Sequence, residues 1–486
     1  MKSQSDRPKR LNMIDLLRPH ARSLTLGMLA VAGVGIANLL EPWPLKIVLD
    51  NVLQANPAKA PRHYFFLSAI GDDKLALLKF AALAALAIAA LGALCSYAEK
   101  RLTTTVGQWV MHDLRQKLYS HIQRLSLAYH DQSRTGDLIS RVTSDIDSIQ
   151  SFITSGLLGA FISSLTLVGM IGVMFYLNWR FTLIALSVAP VLFFVVYTYT
   201  RRIKAASREV RNKEGEIVSV VQEVLSSIRV VKAYAREDYE QRRFEEESLE
   251  SVEIALRARA IKARLAPLVE VIVAVGTCLV LWFGARMVLE GSLSSGSLIV
   301  FILYLGKMYK PMQELSKMTD AYSKAVVGYD RIREVLDTDS EVRDLPGARA
   351  APRLKGEIEF ENVSFAYNAE SPILVDVNFK VEPGQVVALV GPTGAGKTTI
   401  ASLIARFYDP TGGQVKIDGH DITKFTQKSL REQISFVLQE TELFRAPLWH
   451  NIAYGKPDAT RDEILRAAEM ANASEFIEKM PQGYDT

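Results

Sequence analysis

The stretch Gly391-Pro-Thr-Gly-Ala-Gly-Lys-Thr398 fits the pattern G-x-x-x-x-G-K-[ST] and decides how the second part of this chain is read. The apolar, β-type run Val386–Val390 precedes it, and the helical stretch Thr399–Phe407 follows it. Glycines in such a loop let backbone N–H groups surround phosphate oxygens, and the helix that follows adds the positive end of its dipole. The stretch therefore predicts a nucleotide-binding α/β domain of the P-loop type.

The residues of this loop are expected to hold ATP and Mg²⁺. Lys397 would place its charge at the β and γ phosphates, and the hydroxyl of Thr398 would bind the metal ion. A glycine-rich turn without a ligand is the alternative, and the strand, loop and helix context disfavours it. The remaining residues of the predicted phosphate site are Gly391, Thr393, Gly394, Ala395, Gly396 and Thr399.

Hydropathy divides the chain into two parts. Its 486 residues are 49% apolar, which as an average is typical of a soluble protein. The apolar residues are concentrated before about position 306, however, in runs that reach the roughly 18 to 20 residues needed to cross a bilayer as a helix. A wholly soluble protein is therefore excluded. The predicted spans are Ser23–Leu40, Phe80–Ala98, Ser148–Trp179, Phe181–Thr200, Leu265–Ala285 and Gly291–Gly306.

Lysine and arginine residues predict the orientation of these spans. With a cytoplasmic N-terminus, the inner segments 1–22, 99–147 and 201–264 carry six, seven and fifteen basic residues, and the outer segments together carry five. Basic residues collect on the cytoplasmic side of membrane proteins. We therefore expect a multi-pass protein of the cell membrane with its N-terminus and nucleotide domain in the cytoplasm. A net charge of +4 indicates no nucleic-acid partner.

The sequence around the P-loop resembles the ATPase domain of ABC transporters. Ile358–Tyr367 and Val381–Gly384 are similar to the opening of that domain, and the resemblance implies that Tyr367 stacks on adenine. Ile434–Gln439 resembles the Q-loop region, which implies that Gln439 approaches Mg²⁺ and the attacking water. Gln439 is therefore the catalytic residue expected in this sequence. The stretch Pro447–His450 departs from the family pattern.

The membrane part resembles ABC exporters of the lipid-A-flippase and multidrug type. Tyr129–Asp145 is similar to their first intracellular loop and Val230–Tyr239 to their second. The resemblance implies short coupling helices that dock on nucleotide domains and transmit ATP-driven closure to the bundle. It also implies a dimer with a second half-transporter, identical or related, surrounded by membrane lipid.

The expected fold is a membrane, all-α six-helix exporter domain followed by a partial α/β P-loop NTPase domain of the ABC type. We expect a cytoplasmic arm at 1–22, the transmembrane domain at 23–320, a linker at 321–354 and the nucleotide domain at 355–486. The family's signature, Walker B strand and switch histidine do not occur in this sequence. The chain is therefore expected to be a fragment that binds nucleotide but does not hydrolyse it alone.

The expected activity of the full-length protein is ATP-driven export of a lipid, drug or other amphiphile. A non-catalytic ATP-binding subunit or regulator, as the degenerate half of a heterodimer, is the alternative. Two acidic residues, Glu41 and Glu270, lie near the ends of predicted spans. An intramembrane carboxylate is a candidate for substrate contact, but we favour a structural role for both. The substrate and the choice between homodimer and heterodimer stay open.

Overall fold

The computed structural model describes residues 18–53, 73–368, 371–439 and 442–486, apart from the side chains of residues 155 and 316. Two compact units are present. One comprises the chain up to Ser120 together with Ile139–Asp337, and the other comprises His121–Leu138 together with Thr338–Thr486. Most of the predicted cytoplasmic arm and of the outer segment 50–74 lies outside the described residues.

The described chain up to residue 337 is helical. Its helices are joined by short turns and by wider π-type turns at Val48–Leu53, Arg141–Asp145 and Phe152–Leu157. In chain order the helices are Ala21–Leu40 (α1), Trp43–Ile47 (α2), Lys74–Ile122 (α3), Leu127–Gln132 (α4), Thr135–Ser140 (α5), Ile146–Ser151 (α6), Leu158–Leu177 (α7), Trp179–Leu186 (α8), Ala189–Ser226 (α9), Ile228–Ala233 (α10), Glu237–Leu289 (α11) and Ser295–Asp337 (α12).

Five helical segments of the described chain are long and apolar enough to cross a membrane. They cover the first five of the predicted apolar runs, except that the third run, Ser148–Trp179, is divided at Asn178 between two segments. The sixth run, Gly291–Gly306, overlaps the first part of α12. Lys307 and Lys310 end the apolar sequence there. The five segments are Arg18–Leu53, Lys74–Ile122, Thr135–Leu177, Trp179–Ser226 and Glu237–Leu289.

Close packing joins α12 to its neighbours. The rings of Phe181 and Phe301 are both fully buried, with their centroids 4.6 Å apart. Gly284 of α11 allows this approach, because a Cβ atom there would lie 2.3 Å from Leu298. Small residues serve helix association in membranes in this way, since they let backbones come close together.

The second unit combines a small antiparallel sheet with short helices. Its strands are Ile358–Asn368 (β1), Ser371–Val381 (β2), Gly412–Ile417 (β3) and His420–Asp421 (β4), in the order β2-β1-β3-β4. The core beneath the sheet contains Phe360, Val363, Leu374, Leu403 and Leu430. The helices of this unit are Lys397–Ile404 (α13), Gln427–Arg431 (α14), Leu448–Ile452 (α15), Arg461–Met470 (α16) and Ser474–Glu478 (α17).

One sequence prediction about this unit is wrong, and a second holds over a shorter stretch. The run Val386–Val390 forms no strand with the described residues, and Val386 and Val390 are 96% and 92% exposed. A strand needs a hydrogen-bonded neighbour, and no described residue bonds to this run. The same holds for the apolar run of residues 435–438. The predicted helix after the loop ends at Ile404, because Arg406 takes a positive φ of 51°.

The turn between β3 and β4 also fixes the entry to β1. Asp418 and Gly419 both have positive φ, of 51° and 74°, as a tight hairpin turn of type I′ requires. The Asp418 carboxylate accepts backbone N–H bonds from Lys355, Gly356 and Glu357. Partial burial raises the pKa of Asp418, but the three N–H donors together outweigh it and lower this pKa below its ordinary value.

Substitution of Gly413 tests how closely β3 packs against β1. Its φ is +73°, and a Cβ atom there would lie 2.3 Å from the carbonyl oxygens of Glu361 and Asn362. We expect Gly413→Ala to destabilise the second unit by about 3 kcal/mol or more, since it adds a backbone clash to the cost of a left-handed residue. Gly419→Ala is the matched control: its φ is similar, but no atom lies within 4 Å, and we expect about 1 kcal/mol. Equal melting temperatures for the two variants would contradict this packing.

Asp418 gives the second unit a predictable pH dependence. Because its pKa is lower in the folded than in the unfolded chain, its stabilising contribution is complete above the unfolded value of about 3.9. That contribution disappears as the pH falls further, through the lowered value. We expect Asp418→Asn to destabilise the unit at pH 7 and the difference from wild type to shrink below about pH 4. Thermal unfolding at a series of pH values measures this, and a constant difference would contradict it.

Candidate nucleotide-binding site

The P-loop precedes α13 and is exposed to solvent. Gly394 and Gly396 have φ values of +88° and +85°, which side chains other than glycine rarely adopt. Gly396 is also packed tightly, because a Cβ atom there would lie 2.7 Å from Leu374. The residues of the loop before Gly396 are exposed. The sequence therefore folds here into a glycine-dependent backbone cradle that is open to a ligand.

Lys397 closes this loop from the helix side. Its ammonium group donates to the carbonyl oxygens of Gly391 and Pro392, at 2.9 and 2.8 Å. These bonds hold the positive charge over the exposed loop and next to the N-terminus of α13. A lysine ammonium in this place attracts the oxygens of a polyphosphate as a point charge.

The two threonines after Lys397 differ in exposure. Thr398 is exposed, so its hydroxyl is free to bind a cation held by phosphate oxygens. Thr399 is buried, and its Oγ1 lies 3.3 Å from the hydroxyl of Tyr367. No group of three or more His, Cys, Asp or Glu side chains among the described residues is arranged to hold a metal. Mg²⁺ fits this site as a partner of the nucleotide and of Thr398.

Tyr367 lies near the end of β1, close to the P-loop helix. Its ring packs edge-on against Phe365 and Tyr408, with centroids 4.9 and 5.1 Å away, and the side chain is 42% exposed. The structure thus brings Tyr367 to the start of α13 with part of the ring available for stacking. Gln439 is exposed and forms no hydrogen bond with the described residues, so its predicted approach to the loop stays a prediction.

Sequence reasoning missed Tyr408, which connects the two stretches of chain that form the second unit by contacting α4. Its side chain is buried, and its hydroxyl donates to the carboxylate of Asp131 in α4. Burial and then the nearby carboxylate raise the pKa of Tyr408, so that the hydroxyl keeps its proton. The stretch Phe407-Tyr-Asp409 directly after α13 was the available sequence signal.

A cavity of about 360 Å³ lies beside this hydrogen bond. It is open to solvent and is formed within the second unit. Ala128 of α4 belongs to the core of that unit, so α4 is packed into it as well as hydrogen-bonded. The lining includes Ala128, Asp131, Tyr367, Tyr408, Asp409 and Thr411.

Comparison with known proteins identifies both parts of the chain with the same family. The family described as the ABC transporter transmembrane region matches residues 24–312, and the family described as ABC transporter matches residues 374–484. The two matches fall on the helical segments and on the region that contains the P-loop.

Individual relatives cover most of the chain. An ATP-dependent lipid A-core flippase of Syntrophus aciditrophicus (strain SB) is 33% identical over 474 residues, which are 98% of this chain and 76% of the relative. A putative multidrug export ATP-binding/permease protein of Bacillus subtilis (strain 168) is 36% identical over 78% of this chain and 66% of its own length. The chain thus spans about two thirds to three quarters of these relatives.

A solved structure shares the architecture. The structure of a bacterial Atm1-family ABC exporter with ATP bound superposes with a TM-score of 0.73 and 26% sequence identity. The superposition covers 96% of this chain and 80% of that one.

Tyr408→Phe tests how α4 is attached. We expect it to destabilise the second unit by about 0.5 to 1.5 kcal/mol, because the hydrogen bond from the buried Tyr408 to the exposed carboxylate of Asp131 is lost. Tyr454→Phe is the control: Tyr454 is exposed and stacks on Phe444 at 4.5 Å, and its hydroxyl forms no hydrogen bond with the described residues. Thermal unfolding measures both variants. If Tyr408→Phe melted like wild type, the hydrogen bond would contribute nothing to the attachment.

Proposed function

The chain belongs to the ABC transporter family and has the fold of its exporters, and from this premise we propose that it forms one half of a dimer that uses ATP to export an amphiphile. One observation carries the proposal. Helix α4 follows the long apolar helix α3 in sequence, yet it is built into the same compact unit as the P-loop. A change of the nucleotide unit therefore acts directly on a segment that is continuous with a membrane helix.

We assign the binding of ATP and Mg²⁺ to the P-loop unit. In this proposal Lys397 and the backbone of Gly391–Gly396 hold the phosphates, Thr398 binds the metal ion, and Tyr367 stacks on adenine. The adjacent Thr399 orients Tyr367 through the contact between their hydroxyls. Gln439 is proposed to reach Mg²⁺ and water when nucleotide is bound.

Hydrolysis is proposed for the assembled dimer. Phosphoryl transfer needs a positioned water and stabilisation of the developing charge, in addition to bound phosphates and Mg²⁺. The described loop supplies the phosphate contacts. We propose that the second half-transporter is identical or related and that both halves contribute to the closed site.

The membrane part is proposed to face lipid along residues 23–320, with 321–354 as the linker and 355–486 in the nucleotide domain. The distribution of basic residues supports an inner or plasma membrane protein with its N-terminus and nucleotide domain in the cytoplasm. The names of the two relatives, a lipid A-core flippase and a multidrug export protein, favour a lipid or a drug as substrate.

Lys397→Ala tests the nucleotide site. We expect its affinity for a fluorescent ATP analogue to fall at least about tenfold, because the ammonium charge at the phosphates is lost. Lys428→Ala is the matched control, since Lys428 is a surface lysine of α14 that is 87% exposed. Both variants should melt near the wild-type temperature. Unchanged nucleotide affinity in a folded Lys397→Ala protein would refute the assignment. In the complete dimer, ATP binding without turnover would favour the non-catalytic alternative.

A further inference from the structure

The first membrane segment is interrupted next to a charged residue. Helix α1 ends at Leu40 and α2 begins at Trp43, so Glu41 and Pro42 form a break between them. Tyr304 of α12 donates its hydroxyl to the carbonyl of Leu39 at this break. The sequence suggested that Glu41 lies near the end of its span, but the helical segment continues to Leu53.

Glu41 forms an ion pair with Lys307 of α12. The side chain of Glu41 is 59% exposed and that of Lys307 is 37% exposed. Each charged group therefore contacts its partner and is also accessible to a ligand. Glu270, the second carboxylate singled out from the sequence, is exposed and forms no ion pair with the described residues. Of these two carboxylates, Glu41 is the one that forms an ion pair with a described residue.

A second ion pair in the same bundle, Lys46–Asp50, is buried and serves as a structural comparison for the exposed Glu41–Lys307 pair. Its side chains are only 4% and 5% exposed, and the charges are 2.7 Å apart. Asp50 also accepts hydrogen bonds from Ser294 and from the backbone N–H of Gly296, so its oxygens are satisfied by the protein. The open Glu41–Lys307 pair lacks this enclosure.

Helix geometry separates the open pair from the buried one along α12. The bond from Gly296 to Asp50 marks the first turn of α12, and Lys307 lies eleven residues further along the helix. At 1.5 Å per residue this is about 17 Å. Charged residues within membrane segments mark substrate or ion pathways.

We propose that the Glu41–Lys307 pair is the head-group site of the transported amphiphile and selects a zwitterion. A purely cationic head group would displace Lys307 from Glu41 and leave the ammonium unpaired, and an anionic one would do the same to Glu41. An unpaired charge within a membrane segment is costly. A head group with both charges pairs with both side chains at once. This inference rests on the proposed export function and names its substrate class.

The test compares lipids that differ only in head-group charge. Native mass spectrometry of the purified chain in a maltoside detergent measures the binding of a phosphatidylethanolamine, a phosphatidylglycerol and a diacylglycerol with identical acyl chains. We expect the zwitterionic lipid to bind at least about tenfold more tightly than the other two. Equal affinities would overturn the proposal.

Variants assign the preference to the pair. Glu41→Gln and Lys307→Gln should each abolish it, and the double exchange Glu41→Lys with Lys307→Glu should keep it because both charges remain. Glu290→Gln is the control, since it removes the exposed pair Arg286–Glu290 and should change nothing. A preference that persists in the folded single variants would show that the pair only joins helices, and would overturn the proposal.

Two controls cover single variants that do not fold and a failure of the proposed function itself. If the single variants do not fold, the folded double exchange decides: a kept preference supports the site and a lost one overturns it. Binding of a fluorescent ATP analogue is measured on the same preparations. Normal ATP binding without lipid preference would refute this inference alone, whereas absent ATP binding in wild type would refute the proposed function.

Discussion

Backbone hydrogen bonding inside a bilayer is the constraint on which the described bundle depends. Hydrocarbon offers no partner to an N–H or C=O group, so a spanning chain must satisfy these groups itself, which helices do. Five segments meet this demand over long distances. Where Pro42 interrupts the first of them, the hydroxyl of Tyr304 in α12 donates to the backbone carbonyl of Leu39. The break is thus accommodated by one neighbouring helix.

Local patterns predicted local features well. The glycine motif predicted a loop whose backbone depends on glycine, and Gly394 and Gly396 have positive φ. The uncharged runs predicted helical segments long enough to span a membrane. Those features depend on residues close together in sequence. The exposed run Val386–Val390 shows the limit, because an apolar β-type pattern says nothing about whether a partner strand is present.

Contacts between distant residues were beyond the sequence. Tyr408 and Asp131 are 277 positions apart, and Glu41 and Lys307 are 266 apart. Each residue taken alone looked ordinary: a tyrosine after a helix, or a carboxylate beside a proline. Only the fold brings the hydroxyl of Tyr408 to the carboxylate of Asp131 and the ammonium of Lys307 to the carboxylate of Glu41. The α4 attachment and the Glu41–Lys307 pair therefore depend on tertiary contacts, whereas the phosphate site is formed by a local motif.

The second unit is assembled from two stretches of chain, His121–Leu138 and Thr338–Thr486. During synthesis the first stretch leaves the ribosome about 200 residues before the second begins. At roughly 5 to 20 residues per second this gap lasts about 10 to 40 seconds. Throughout that interval Ala128, which ends in the core of the unit, has no core to enter. Translation speed between the two stretches thus becomes a determinant of yield, and a pause before residue 338 would prolong the period in which chaperones must protect the nascent chain.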